Sequence, residues 1–122
     1  MTSRLTAGHR ERLESLRRAY VEELPEKVRA IGKAAASLQP GDREKLQAFH
    51  HLVHRLTGSA AIYGFTGLSR AASALEALVY SALDGTASFP LERGPSLADL
   101  VAALKSELAA ATASSKQEKG GT

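Results

Sequence analysis

Apolar residues recur at every third or fourth position through most of this 122-residue chain, and this spacing is the period of an amphipathic α-helix rather than that of a strand. Alanine, the strongest helix former, is abundant, whereas aromatic residues make up only 5% and tryptophan is absent. Strands are usually rich in aromatic and β-branched side chains, so the composition favours closely packed helices. Since a chain of this length holds one domain, the sequence predicts a single all-α domain.

Composition also excludes several classes of protein. Without cysteine the chain has no disulfide, no Cys-based metal site and no thiol nucleophile. No apolar run approaches the roughly 18 residues of a membrane span, and the N-terminus lacks the apolar stretch of a signal peptide, so we expect a cytoplasmic protein without membrane contact. The net charge of +3 is dispersed, and the dense basic stripe typical of nucleic-acid binding is missing. Such a mild positive charge favours an acidic protein partner.

The first predicted helix is long and contains a proline. Its apolar stripe consists of Leu13, Leu16, Tyr20, Leu24, Val28, Ile31, Ala35 and Leu38. Because the stripe keeps its phase across Pro25, it predicts one helix over residues 9–38 with a kink at Pro25. Two helices, the second beginning at Pro25, are the alternative, since proline suits the first position of a helix.

The second predicted helix spans residues 43–63. A turn at residues 39–41 precedes it, Asp42 is placed to cap its N-terminus, and Gly64 ends it. The predicted core face of this helix consists of Leu46, Phe49, Leu52, Val53, Leu56, Ala60 and Tyr63.

Two more helices complete the prediction. Thr66 is placed to cap the third helix, which stops at Asp84 and Gly85, and Pro95 suits the first turn of the fourth, after a loop over residues 86–94. Each of these helices has an apolar stripe. In the third helix it consists of Leu68, Ala71, Ala72, Leu75, Leu78, Val79 and Ala82. In the fourth helix it consists of Leu97, Leu100, Val101, Leu104 and Leu108.

Four amphipathic helices with short connections predict an antiparallel up-and-down four-helix bundle. We expect this bundle to occupy residues 1–112 and to be monomeric. Residues 113–122 are dominated by Ser, Lys, Gln and Gly, a composition that predicts a disordered tail.

One face of the second helix lacks the side chains of an ordinary solvent face. At about 100° per residue, His54 points away from the predicted core, and its neighbours one or two turns toward the C-terminus, Thr57, Gly58 and Ala61, are small. Glycine within a helix costs about 1 kcal/mol relative to alanine, and at Gly58 it leaves room for another molecule beside the histidine. The alternative is that Gly58 fits a contact between helices.

His54 also has a predicted partner. If the second and third helices form a hairpin about Phe65, His54 and Glu76 are level, because each lies eleven positions from that residue. The Glu76 carboxylate could accept a hydrogen bond from one imidazole nitrogen and leave the other free; a solvated Glu76 is the alternative. An exposed and oriented imidazole is a nucleophile at neutral pH, suited to accept and pass on a phosphoryl group.

These residues resemble the histidine-containing phosphotransfer (Hpt) domain of bacterial two-component phosphorelays. The family pattern is His-x-Leu-Lys-Gly-Ser/Ala-Ser/Ala, with a further glycine and an Ala-x-x-Leu-Glu-like segment in the next helix. The matching residues are the stretch HRLTGSAAIYG at positions 54–64, followed by Leu68, Ala72, Leu75 and Glu76. The helical layout on both sides is similar to the four-helix bundle of this family.

The resemblance implies roles for these residues. His54 would be the phosphoacceptor, Glu76 would bond the imidazole nitrogen that is not phosphorylated, and Gly58 would give the partner clearance. Docking would use the open face of the second and third helices, where Ala61 and Ile62 offer apolar contact.

One departure from the family pattern concerns charge. The family usually has lysine three residues after the histidine, where this chain has Thr57, so a cation that would steady the phosphoryl group is missing. Arg55, beside the histidine, and Arg70, at the start of the facing helix, are the candidates to replace it.

Activity in this family takes two proteins. The resemblance implies that the receiver domain of a response regulator or hybrid kinase brings the phosphoaspartate and Mg²⁺, while this chain supplies the histidine. The sequence has no glycine-rich nucleotide loop and is too short for an ATP-binding domain. We therefore expect a phosphorelay intermediate without kinase activity and without a cofactor of its own.

Three other interpretations stay open. His50, His51 and His54 could bind a metal, although the chain has no His-Glu-x-x-His pattern and no cysteine to complete a zinc site. A degenerate relative that binds receivers without phosphotransfer is favoured by Thr57. The third interpretation is a phosphoacceptor domain cut from a larger chemotaxis-type kinase. Met1 and the loose tail favour a freestanding protein instead.

Overall fold

The fold consists of four helices. A computed structural model describes residues 2–39, 41–84 and 96–120, and gives the backbone alone at 2–7 and 114–120. The helices are α1 (Thr2–Ala36), α2 (Arg43–Ile62), α3 (Thr66–Asp84) and α4 (Leu97–Gly120). No strand occurs in these three ranges, so the predicted all-α class is confirmed.

The helices form a ring in which each packs against the two helices next to it, α2 against α3 most extensively. Across the described part of the chain, neither diagonal pair, α1 with α3 or α2 with α4, is in contact. This arrangement is the predicted up-and-down four-helix bundle.

The core is built from apolar side chains of all four helices. The largest of its fully buried side chains are Leu24, Val28, Ile31, Phe49, Val53, Leu68, Leu75, Val79 and Leu104. Among the described residues no polar or charged residue is buried with them. The bundle therefore depends on apolar burial, and its polar chemistry lies at the surface.

Helix α1 is continuous and longer than predicted. It begins at Thr2 and contains Pro25, so the alternative of two helices is wrong, while the kink at Pro25 stays a prediction. Leu13 and Leu16, expected in the core, are exposed, and over residues 8–36 of α1 the first buried residue is Tyr20. Both leucines precede the part of α1, at Arg17 and Tyr20, that contacts the turn after α2.

Helix α2 follows the prediction closely at its start. The Asp42 side chain accepts a hydrogen bond from the Lys45 backbone N–H at 3.1 Å, which confirms Asp42 as the N-cap. The prediction that Leu52 belongs to the core face is wrong, because its side chain is exposed in the groove between α1 and α2. Tyr63, which follows the helix, is half-buried.

The start of α3 differs by one position from the prediction. Thr66 is the first helical residue rather than the cap, and the Phe65 carbonyl before it accepts a hydrogen bond from the Ser69 N–H at 2.9 Å. The helix ends at Asp84, as expected. The predicted loop over residues 86–94 lies outside the described residues.

A capping box opens α4. The Ser96 hydroxyl oxygen accepts from the Asp99 N–H at 3.1 Å, and the Asp99 carboxylate accepts from the Ser96 N–H at 3.2 Å. Pro95, expected in this first turn, lies outside the described residues. The helix extends to Gly120, past the boundary expected at residue 112, and the disorder of residues 113–122 stays a prediction.

Candidate functional site

A tight turn between α2 and α3 sets the register of the two helices. Gly64 adopts a φ of +83°, the left-handed region that glycine enters without strain. The Phe65 N–H donates to the Ala60 carbonyl at 2.8 Å and the Gly64 N–H donates to the Ala61 carbonyl at 3.1 Å, which is a Schellman motif. This motif leaves the hairpin little freedom to slip.

Side chains of helix α1 also contact this turn and the end of α2. The rings of Tyr20 and Tyr63 stack with centroids 4.4 Å apart, and the Tyr20 hydroxyl lies 2.6 Å from the Ser59 hydroxyl. The Arg17 guanidinium donates to the Tyr63 carbonyl at 3.2 Å and lies over the Phe65 ring. These contacts fix the end of α2 close to the candidate site.

The register brings His54 and Glu76 together, as the sequence predicts. His54 Nδ1 lies 2.7 Å from Glu76 Oε2. Because a carboxylate oxygen accepts hydrogen bonds and cannot donate them, Nδ1 carries a proton, and in the neutral imidazole Nε2 therefore keeps its lone pair. The solvated Glu76 considered above is excluded by this contact.

Exposure differs sharply between the two partners. The His54 side chain is 66% exposed, whereas the Glu76 side chain is 22% exposed. The carboxylate is thus partly withdrawn from water, which strengthens its electrostatic hold on the imidazole. The imidazole itself is open to an incoming molecule.

The surface beside His54 is low in relief. A Cβ atom placed on Gly58 would have no atom within 4 Å outside its own stretch of helix, so Gly58 faces open space and does not fit a contact between helices. Ala61 is exposed, and Ile62 is 81% exposed. Together, Gly58, Ala61 and Ile62 form the open face of α2.

Thr57 takes part in the packing of α2 rather than facing outward freely. Its hydroxyl donates to the Val53 carbonyl at 3.0 Å, and its own carbonyl accepts from the Ser69 hydroxyl at 2.9 Å. This second polar contact between α2 and α3 supports the register near His54. With its proton committed to the helix backbone, the Thr57 hydroxyl is not held as a donor toward the imidazole.

The two candidate arginines lie on different surfaces. Arg55 lines the groove between α1 and α2, together with Glu26 and Lys27, so it faces away from Glu76 and α3. Arg70 is exposed in the first turns of α3. Of the two, Arg70 belongs to the helix that faces His54 across the hairpin.

Sequence reasoning missed the environment of His50. His50 Nε2 lies 3.9 Å from the same Glu76 Oε2 that binds His54, and the His50 and His54 rings are nearly parallel with centroids 6.1 Å apart. The four-residue spacing of these histidines indicates one helix face, but the spacing alone does not reveal a shared carboxylate.

The described residues contain no group of three or more His, Cys, Asp and Glu side chains placed to hold a metal ion. None of the helices within residues 2–39, 41–84 and 96–120 has the combination of length and hydropathy that a membrane-spanning helix needs. What this surface offers is one exposed nucleophilic nitrogen, oriented by a carboxylate and bordered by a helical glycine.

Comparison with protein families adds an independent finding. The family model described as Hpt domain matches residues 15–114, which include all of α2 and α3. The chain belongs to the Hpt domain family. Neither the curated proteins nor the solved structures contain a significant match.

Membership of the Hpt family defines the general activity. Hpt domains are phosphotransfer modules of two-component systems, and they interact with receiver domains and kinases in phosphorelays. The resemblance noted in the sequence is thereby confirmed at the level of the family, as is the four-helix architecture.

Proposed function

We propose that this Hpt domain relays a phosphoryl group between His54 and the aspartate of receiver domains. The observation that carries the proposal is the 2.7 Å hydrogen bond from His54 Nδ1 to Glu76, which leaves Nε2 as the exposed nucleophile. Family membership supports phosphotransfer in general, and this geometry supports His54 as the histidine that takes part in it.

The proposed step is a reversible displacement at phosphorus. The Nε2 lone pair of His54 forms the new N–P bond while the P–O bond to the receiver aspartate breaks and its electrons leave with the carboxylate. No proton needs to move, because the Nδ1 proton stays in its hydrogen bond with Glu76. In the reverse direction the neutral imidazole is the leaving group.

Charge balance explains why a carboxylate suits this position. Phosphorylation at Nε2 with the proton kept on Nδ1 makes the imidazole ring cationic. The Glu76 carboxylate, 2.7 Å from Nδ1, then forms a charge-assisted ion pair with the ring. Glu76 therefore both orients the nucleophile and stabilises the phosphorylated product.

Docking is proposed on the open face of α2, where Gly58, Ala61 and Ile62 leave the approach to His54 clear. Arg70 supplies positive charge toward an acidic receiver pocket, and Arg55 contributes at the edge of the contact, toward α1. Mg²⁺ is assigned to the receiver's acidic pocket, and ATP-dependent phosphorylation to a histidine or hybrid kinase. A monomeric state and a cytoplasmic location stay predictions.

Transfer from a phosphorylated receiver domain tests the proposal. Receiver domains from the same genome are phosphorylated with radiolabelled acetyl phosphate, freed of the reagent and mixed with the Hpt domain. We expect acid-labile, alkali-stable label on the wild type and on His51→Gln, which alters an exposed neighbouring histidine, and no label on His54→Gln. Label that persists in His54→Gln would overturn the assignment.

A second function, receiver binding without phosphotransfer, is favoured by one observation. The position where the family usually has lysine is Thr57, whose hydroxyl is bonded to the backbone of its own helix. The transfer experiment, together with a receiver-binding measurement and direct chemical phosphorylation of the Hpt domain, separates the two functions. A receiver that binds the chain, with label absent from His54 even after direct chemical phosphorylation is attempted, would indicate a binding module.

A further inference from the structure

A second imidazole shares the carboxylate that orients His54. Of the two histidines in contact with Glu76 Oε2, His54 is hydrogen-bonded at 2.7 Å, whereas His50 Nε2 lies at 3.9 Å. That separation exceeds the range of a hydrogen bond. The contact therefore has an electrostatic effect that depends on whether His50 carries a charge.

Packing gives His50 a defined position beside the carboxylate. Its side chain is 25% exposed, and its ring lies nearly parallel to that of His54, with an interplanar angle of 12°. The Tyr80 ring also contacts the His50 ring, with centroids 6.3 Å apart and an interplanar angle of 43°. His50 is therefore a packed and partly buried direct neighbour of the Glu76 carboxylate.

Titratable and charged groups surround His50 on both helices that face it. Helix α3 contributes Glu76, Tyr80 and Asp84, and α2 contributes Arg43, His51 and His54; several of them line one surface depression with His50. Within this set, Glu76 is the carboxylate in ionic contact with His50.

We propose that His50 is a positioning residue that acts on His54 through Glu76; this inference rests on the proposed phosphotransfer at His54. While His50 is neutral, no cation at this position competes with His54 Nδ1 for the Glu76 carboxylate. When His50 gains a proton, its cation competes for the same oxygen. Glu76 then holds the His54 Nδ1 proton less strongly, and Nε2 becomes a weaker nucleophile.

Imidazole changes its charge close to neutral pH, so the proposal predicts an effect on the pH profile of phosphorylation. Protonation of His54 itself lowers the rate at acid pH, because it removes the nucleophilic lone pair. Protonation of His50 adds a second loss. The rate should therefore fall more steeply toward acid pH than one titrating histidine would cause.

The experiment uses potassium phosphoramidate, a small phosphoryl donor that requires no partner protein. His54 Nε2 attacks its phosphorus, the P–N bond breaks and ammonia leaves. Initial rates are measured on the full chain between about pH 6 and pH 8, the range in which imidazole titrates. His50→Gln is compared with His51→Gln, the same exchange at the adjacent exposed position, so that ionisation of the reagent cancels.

We expect the ratio of the rate at high pH to that at low pH to be about two- to fivefold smaller in His50→Gln than in His51→Gln, the size of effect that a partly exposed charge contact produces. His50→Lys, with a permanent positive charge, should react slowly throughout and show the same flattened profile. A purely structural role of His50 would lower the rate equally at every pH.

Two failures are distinguishable. If the wild type is not phosphorylated at His54 at any pH, the proposed function itself fails. If the wild type is phosphorylated there but the profile of His50→Gln runs parallel to that of His51→Gln, phosphotransfer stands and the role of His50 is refuted.

Discussion

Removal of the Glu76 carboxylate is the perturbation that most directly tests how this site operates. Glu76→Gln keeps the size of the side chain and an oxygen that can accept from His54 Nδ1, but removes the negative charge. Glu76→Ala removes the acceptor altogether. If Glu76 orients His54 and stabilises the cationic ring after phosphorylation, both variants should lose activity, and Glu76→Ala should lose more than Glu76→Gln.

The expected magnitude follows from the hydrogen bond. Bonds to charged groups contribute about 1.5–3 kcal/mol and neutral ones about 0.5–1.5 kcal/mol. Because His54 is 66% exposed and Glu76 is 22% exposed, the lower end of each range applies. Glu76→Gln should thus lose about 1 kcal/mol, or roughly fivefold in rate, and Glu76→Ala about 1.5 kcal/mol or more, at least roughly tenfold.

The assay measures the initial rate of His54 phosphorylation by a labelled receiver domain and, separately, by phosphoramidate. Glu22→Gln, which neutralises an exposed carboxylate on α1, is the matched control for the loss of one charge. Far-UV circular dichroism checks that helical content is unchanged. Equal rates in the wild type, both Glu76 variants and the control would refute the role derived from the 2.7 Å contact.

Three further predictions concern the surface and the core. Gly58→Ala should raise the free energy of unfolding by about 1 kcal/mol, because a helical glycine is replaced where there is space for a methyl group. Gly58→Phe should instead weaken receiver binding. If calorimetry gives the same receiver affinity for Gly58→Phe and the wild type, Gly58 does not provide clearance for the receiver. Burial raises the pKa of Tyr20, and this effect is larger than that of the hydrogen bond with Ser59, which lowers the pKa. The folded chain therefore keeps the Tyr20 proton to higher pH than the unfolded chain, and the free energy of unfolding should decline above about pH 10. Tyr20→Phe should lower the free energy of unfolding by about 1 kcal/mol at neutral pH, and in urea titrations at alkaline pH its stability should decline less than that of the wild type. A parallel decline in the two proteins would argue against this linkage. Phe49→Ala, at a fully buried position, should cost about 3–5 kcal/mol, and a smaller loss in urea unfolding would indicate that the core closes around the cavity.

Much of the fold follows from local sequence. The period of the apolar residues predicts which face of each helix is buried, and Asp42 predicts where α2 begins, because an N-cap satisfies backbone donors within a few residues of itself. Leu13, Leu16 and Leu52 mark where this reasoning fails. Their spacing matches the core stripe, but burial also requires that a neighbouring helix covers the side chain, and periodicity carries no information on how closely a neighbour packs.

The candidate site divides in the same way. The level placement of His54 and Glu76 can be predicted because a hairpin with a short turn pairs residues at equal distance from the turn. Arg55 shows the limit of such reasoning, since its place in the groove beside α1 depends on how α1 packs against α2. The bond from the Thr57 hydroxyl to the backbone is likewise a choice of side-chain conformation that no spacing rule specifies.

By itself, therefore, the sequence determined an all-α bundle, a small-residue face on α2 and a histidine suited to carry a phosphoryl group, because these depend on helical period and on the chemistry of single residues. Only the tertiary structure decided which imidazole nitrogen is held and which is free, and that His50 approaches the same carboxylate as His54. These features depend on distances of a few ångströms between side chains on two helices, and such distances are set by the packing of the whole bundle.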